Sequence, residues 1–389
     1  MSFDKVINRV GTHTAKWDTM ESNFGVSPSE GISMWIADMD FAPPLSVTKS
    51  IENMLKNQVL GYYGDDKSYK SAIIGWMKHR HNWTVDPNWI FTVHGLVNGV
   101  ALCIQTYTEE NDGIIIFTPV YHQFAKTILA NNRKIVESNL VNNDGRFEMD
   151  LNALETSLTG DETMMVFCSP HNPCGRVWTK DELQQVLEFC KKHDLILVSD
   201  EIHHDLVFGD NKHTIMSLIS PLDTDLIIIL SAATKSFNIA GCLTGNVIIQ
   251  DENLRKQFAN TLAANAIGGH AFGHNMCEAA YKDGEEWLNT CVDYIAENCR
   301  VFDEIVNQIP GVTSIKLEST YLAWVDFSKT GMSRSEIVKR VGKTAKIAAS
   351  PGSQFGKVGE LFMRFNLACS RSVVIEAANR LKTAFSDLQ

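Results

Sequence analysis

The run Thr163-Met-Met-Val-Phe-Cys-Ser169 leads into Pro170-His-Asn-Pro-Cys-Gly175, and the same pattern recurs twice. Leu195-Ile-Leu-Val-Ser199 leads into Asp200-Glu-Ile-His-His-Asp205, and Leu226-Ile-Ile-Ile-Leu-Ser231 leads into Ala232-Ala-Thr-Lys-Ser-Phe-Asn238. Short unbroken apolar runs are what strands look like when both faces of a parallel sheet are covered. Between the first two runs, Thr179 and Glu182 form a capping box. Leu183, Val186, Leu187 and Cys190 follow at helical spacing, and Lys191, Lys192 and His193 close the last turn. Further runs lie at Trp89–Val93, Gly113–Phe117 and Asn246–Ile249, so residues from about 85 to 250 predict βαβ units on a largely parallel sheet. Beyond about 285 the pattern changes. Helical stretches (Trp287–Gln308, Ser333–Val341, Arg371–Leu388) frame shorter strands at Tyr321–Asp326 and Leu361–Asn366, which predicts a smaller α+β domain.

The rest of the chain agrees with this class. Its 389 residues exceed what one hydrophobic core usually holds, so two packed units are expected. Lys plus Arg number 35 against 46 Asp plus Glu; the net charge of -11 disfavours nucleic acid and anionic lipid as partners. Nine cysteines show no CxxC pair and cannot all close into disulfides, which fits reduced thiols and a cytoplasmic location. The polar stretch Met1–Asp18 predicts no export signal, and no apolar run is long enough for a membrane span.

The three strands end on three different polar groups, Asn172, Asp200 and Lys235, separated by 28 and 35 residues, each about one βαβ unit. In open α/β sheets the ligand crevice lies at the carboxyl ends of the strands, so one crevice can take all three. An amine, a carboxylate and an amide together suit a pyridine cofactor carrying an aldehyde. The amine forms a Schiff base, the carboxylate keeps the ring nitrogen protonated, and the amide donates to the ring oxygen. On residue type alone, a capping Asp200, a turn-forming Asn172 and an exposed Lys235 account for the pattern equally well. A phosphate site is also available where Trp89–Val93 meets His94-Gly-Leu-Val-Asn-Gly99 and an apolar helical stretch. Neither GxGxxG nor GxxxxGK[ST] occurs, which disfavours dinucleotide and Walker-type sites. Asp200, Glu201, His203, His204 and Asp205 look like a metal cluster, but consecutive residues leaving a strand alternate in direction, and no metal site is predicted. His270, His274 and Glu278 read as a surface or interface cluster, and Cys168 and Cys174 as packing residues.

Six segments carry a resemblance. They are Arg9-Val-Gly-Thr-His-Thr-Ala-Lys-Trp-Asp18, Met34-Trp-Ile-Ala-Asp-Met-Asp-Phe41, Ser169-Pro-His-Asn-Pro-Cys-Gly-Arg-Val-Trp178, Ser199-Asp-Glu-Ile-His-His-Asp-Leu-Val207, Thr234-Lys-Ser-Phe-Asn-Ile-Ala-Gly241 and Met363-Arg-Phe-Asn-Leu-Ala-Cys369. In order and across nearly the whole chain, they resemble fold-type I pyridoxal phosphate enzymes, in the carbon–sulfur β-lyase branch (cystathionine β-lyase, MalY/PatB type) of the aminotransferase class I/II superfamily.

The resemblance implies an α/β aminotransferase-like fold. An N-terminal segment (1–45) would join the small domain and the site, followed by a large cofactor-binding domain (46–285) and a small C-terminal domain (286–389). It implies that Lys235 bears the cofactor and moves the α-proton, that Asp200 pairs with the pyridine nitrogen, and that Asn172 contacts the 3'-oxygen. Tyr121 would stack on the ring and His203 stand beside it, where many aminotransferases of this fold have Tyr. Gly95, Leu96 and Thr234 would hold the phosphate, while Arg364, with a backbone contact from Ala37, would take the substrate carboxylate. Gly61-Tyr62-Tyr63-Gly64 offers Tyr62, with Tyr63 as the alternative, to a neighbouring subunit's phosphate, implying a homodimer with shared sites. The implied reaction is α,β-elimination on cystathionine-type thioethers to thiol, pyruvate and ammonia. Transamination is the alternative, and an added regulatory binding role is a third reading.

Overall fold

A computed structural model describes residues 3–388. Its centre is a seven-stranded sheet in the order Ile90–Val93, Gly245–Ile249, Ile227–Ser231, Ile196–Asp200, Glu162–Cys168, Gly113–Thr118, Lys134–Asn139. Gly245–Ile249 runs antiparallel to both its neighbours, and the remaining pairings are parallel. The apolar runs are explained by two cores, one on each face. Ile115, Met165, Leu197 and Ile229 point into one, and Ile114, Met164, Val198 and Ile228 into the other. Both alternate sets are buried, so no polar alternation survives in the sequence.

The capping box at Thr179 and Glu182 is formed in both directions, and the helix runs Lys180–Lys192. One strand lacked a sequence signal. Lys134–Asn139 lies at the sheet edge with mostly exposed or half-buried residues, and only Ile135 and Val136 supply apolar side chains. A hairpin of Val141–Asn143 and Arg146–Glu148 was equally silent for the same reason.

A second, antiparallel sheet has the order Thr313–Ser314, Leu322–Asp326, Phe362–Asn366, Ser350–Pro351. The helices Glu285–Val306 and Arg371–Ala384 pack against each other beside it. The N-terminal segment joins this region through Ile32–Ser33, which pairs in parallel with Ile347–Ala348. That segment is held by a compact charge knot. Lys16, 1% exposed, pairs with Asp40 at 2.8 Å, and Arg9 reaches Asp40 at 2.7 Å and Asp38 at 2.9 Å. Burial alone would raise the Asp40 carboxyl, but Lys16, Trp17 and Arg9 outweigh it and hold it below the usual carboxylate range.

Candidate active site

The register sets the site. Cys168 is level with Asp200, and Asp200 with Leu230, at the carboxyl ends of three adjacent parallel strands. Chain leaving those ends delivers Asn172, His203, Thr234 and Lys235 to one cavity of about 270 Å³, as the topology of parallel strands requires. Gly95, Leu96, Tyr121 and Ala37 line the same cavity.

Asp200 is 5% exposed. One carboxylate oxygen accepts the Ile202 N–H at 3.1 Å, and burial pushes the carboxyl up to about 7. The Lys235 amine faces the open cavity, so its surface is half-buried, yet the protein around it desolvates the charge and brings its pKa down to about 8. It donates to the Ala37 carbonyl, which also accepts from the Tyr321 hydroxyl at 2.9 Å. The His203 imidazole is fully buried. Desolvation, with Lys235 and Arg364 nearby, holds its pKa well below the ordinary value, so the ring is neutral, and Nδ1 has no partner.

The other end of the cavity is built for an anion. Gly95 precedes the helix Leu96–Tyr107 with φ +83°, a conformation glycine adopts without strain, and no side chain caps the first-turn N–H groups. Thr234 stands nearby on the short helix Ala233–Ser236.

Arg364 comes from the second sheet and lines an adjoining cavity of about 620 Å³ that shares Ala37, Tyr121 and Lys235 with the first. Arg364 is 3% exposed, and burial lowers its pKa to about 10. Nη1 donates to Asn172 Oδ1 at 3.1 Å and Nη2 to the Trp35 carbonyl at 2.8 Å, while Nε has no partner. No described carboxylate pairs with it. Because the Asn172 oxygen is occupied by Arg364, the amide NH₂ is the group left to donate.

Tyr62 stands apart: it is fully exposed and lines neither cavity. Tyr63 packs edge-on against His274. His270 caps the helix Ala271–Asp283 through the Gly273 N–H, and His274 stacks on Tyr69 at 4.3 Å.

The acidic and histidine run leaves the strand as a turn over 202–205, so its side chains do not divide by strict alternation. Asp200 and His203 face the cavity, whereas Glu201 accepts from Ser199 and the Met216 N–H. His204 and Asp205 gather with His81 behind the site, their ligand atoms within 4.8 Å. The Asp205 carboxylate there is already saturated, taking Ser236 Oγ at 2.6 Å, His81 at 2.8 Å, the Trp76 indole at 3.2 Å and His204 at 3.2 Å. Burial alone would raise its carboxyl, but His204 and His81 hold it well below the usual range.

Sequence reading missed several supporting residues. Asn238 accepts the Met39 N–H at 2.8 Å and donates to the carbonyls of Met39 and Phe41, clamping the Met34–Phe41 segment onto the loop that follows Lys235. Cys168 Sγ accepts the Asn172 N–H at 3.4 Å. Both residues lie within or beside the quoted motifs, but nothing local encodes the contacts.

This sheet, with an amine, an acid and an amide at its strand ends, defines a class, and the chain belongs to it: the family Aminotransferase class I and II, whose model matches residues 30–381. More particularly, the chain is 36% identical over 389 residues to cystathionine beta-lyase PatB of Bacillus subtilis (strain 168), covering 99% of this chain and 100% of the relative. Cystalysin from Treponema denticola, whose crystal structure contains a pyridoxal 5'-phosphate cofactor, matches with TM-score 0.95 at 35% identity over 100% of this chain and 99% of that one. A PLP-bound C-S lyase from Staphylococcus hominis matches with TM-score 0.92 at 30% identity over 100% and 98%. The fold is that of the aminotransferase-like enzymes, and the cofactor is pyridoxal 5'-phosphate. The residues fit it: a desolvated amine for the aldehyde, a buried acid with one oxygen open, and uncapped N–H groups for the phosphate.

Proposed function

We infer that the protein is a pyridoxal-phosphate-dependent carbon–sulfur β-lyase that splits cystathionine and related cysteine thioethers into thiol, pyruvate and ammonia. The observation that carries this reading is the buried, carboxylate-free Arg364 opening on a cavity that Lys235 also lines. An α-amino acid held there by its carboxylate presents its α-carbon in the space the amine faces. Full-length likeness to PatB favours the lyase branch over transamination, which the same residues could serve.

When bound, pyridoxal phosphate supplies an aldehyde carbon for the substrate amine and an electron-poor ring that delocalises the charge left by α-proton removal. Lys235, with its pKa brought down to about 8, takes that α-proton. The thiolate leaves the β-carbon, and the resulting 2-aminoacrylate hydrolyses to pyruvate and ammonia. Asp200 holds the proton at the ring nitrogen, and the Asn172 NH₂ donates to the 3'-oxygen. Tyr121 stacks on the ring and neutral His203 lies beside it. Gly95 and Leu96 N–H groups and the Thr234 hydroxyl take the phosphate, while the Arg364 fork and the Ala37 N–H hold the α-carboxylate.

The active unit is a homodimer in which Tyr62, or alternatively Tyr63, reaches the neighbouring subunit's phosphate. Support comes from the exposed apolar side chains Leu55, Val59 and Leu60, which precede Tyr62 in the chain and are of the kind that partners bury. The proposed domain division at 45 and 285 is supported by the seven-stranded sheet lying between those residues and the four-stranded sheet lying after 285. Nine buried free thiols fit a reducing cytoplasm, and no helix among the described residues is long and apolar enough to cross a membrane.

The test is to incubate the purified yellow protein with cystathionine and measure pyruvate, thiol and pyridoxamine phosphate together. Thiol with pyruvate supports the lyase. Stoichiometric pyridoxamine phosphate without thiol overturns it in favour of an aminotransferase.

A further inference from the structure

We propose that the larger cavity contains a subsite for a carboxylate at the far end of the leaving thiol, read by the Lys126 ammonium. This deepens the lyase reading and rests on it. Substrate amine and α-carboxylate are taken at Lys235 and Arg364, so the β-carbon and sulfur must lead into the remaining space. That space is about 620 Å³, within the range of roughly 300–1,000 Å³ that holds drug-sized ligands and far more than cysteine alone needs.

The lining is electrostatically one-sided. Beside the Lys235 amine, Arg364 and Lys126 contribute two cations, and no Asp or Glu lines the cavity, although the whole chain carries 46 of them and a charge of -11. Lys126 lies on the helix Gln123–Ala130, four residues from His122, which precedes the helix without capping it and lines the same cavity. The His122 imidazole is brought down to about 4 by desolvation first, then by Arg364 and Lys126; it is therefore neutral between two cations. Arg364 is engaged by Asn172 and Trp35, whereas Lys126 is exposed and forms no ion pair with any described carboxylate. Gln123 and Gln354 add amides that suit a carboxylate oxygen. A thioether ending in a carboxylate supplies the missing charge. Phe24 and Trp35, in the same lining, would instead serve a plain apolar thiol, and the experiment decides between the two.

Two thioethers of equal length separate these outcomes: S-(3-carboxypropyl)cysteine and its carboxamide, S-(3-carbamoylpropyl)cysteine. For an exposed ion pair, kcat/KM should favour the carboxylate about two- to five-fold at low ionic strength, and salt should erode the preference. Lys126→Gln should bring the ratio to about one, and Lys126→Glu should invert it. Dissociation constants of the same pair on the Lys235→Ala protein should follow the same order without turnover. Equal values for the pair, or a carboxamide preference, overturn the subsite while leaving the lyase standing. If neither compound releases thiol, the lyase reading falls, and the binding ratio on Lys235→Ala still decides the subsite. Salt dependence in the unaltered chain does the same if the Lys126 variants fail to fold.

Discussion

Replacing Arg364 with lysine keeps the charge and removes the fork, which isolates what geometry contributes at the carboxylate site. A guanidinium has five N–H donors. In this structure one Nη1 donor goes to Asn172 and the two Nη2 donors to the Trp35 carbonyl and, at 3.5 Å, to Ser350 Oγ, so the second Nη1 hydrogen is unpartnered and Nε is unpartnered but enclosed. With the long Ser350 contact exchanged for substrate, one Nη1 and one Nη2 hydrogen can engage both oxygens of a carboxylate. A lysine ammonium is a single point on a longer stem and keeps one such bond. Losing one charge-assisted hydrogen bond costs about 1.5–3 kcal/mol, or roughly a 10- to 150-fold fall in kcat/KM on cystathionine. Because the bond is made to bound substrate and transition state alike, most of the loss should appear as a raised KM. The assay is steady-state pyruvate release, with visible absorbance showing that the cofactor is retained. A fall of less than twofold with cofactor retained would refute the assignment and move the carboxylate site away from Arg364.

Asp200→Asn should keep the cofactor and lower turnover by at least about a hundredfold, because a neutral amide no longer holds the ring proton; near-normal turnover would remove Asp200 from that role. Asp205→Asn should cost roughly 3–5 kcal/mol of stability in urea unfolding at pH 7, since it breaks a saturated buried network. The Asp205 carboxyl is depressed in the folded state. Its contribution is therefore present above the unfolded value near 4 and is lost as pH falls through the folded value, so the gap between wild type and variant should narrow in acid. Mixing inactive Tyr62→Phe and Lys235→Ala proteins under subunit exchange should restore activity, because each mixed dimer holds one intact site; demonstrated exchange without recovery would confine the tyrosine to its own chain.

The parallel strands were legible because both their faces are buried, which writes continuous apolar runs such as Leu226–Leu230 into the sequence. Lys134–Asn139 was not, because an edge strand needs backbone pairing but little apolar surface. Spacing allowed Asn172, Asp200 and Lys235 to share one crevice, since parallel strands deliver their carboxyl ends there, but spacing alone did not settle that they do. Arg364 could not be placed this way: it belongs to another sheet, 192 residues from its partner Asn172, and only family resemblance pointed to it. Lys126 had no signal of either kind, and Asn238 lay within a quoted motif that did not reveal its contacts. Their roles arise from packing between segments distant in the chain, which local pattern does not record. Tyr62 marks a different limit, since its exposed ring lines neither cavity and the role proposed for it requires a second subunit.

The charge knot at the N-terminus bears on how short this enzyme can be made. The family match begins at residue 30, and a chain trimmed there would keep the seven-stranded sheet, Lys235 and Arg364. It would also strip Arg9 and Lys16 from Asp40, leaving a buried carboxylate with neither of its cations. Ser33 and Trp35 would lose the Lys16 carbonyl that their side chains grip, and the Trp35 carbonyl in turn holds Arg364. Residues with no group in the cavity thus act as its foundation, and the smallest working unit should extend upstream of the residues that the family model matches, to include Arg9.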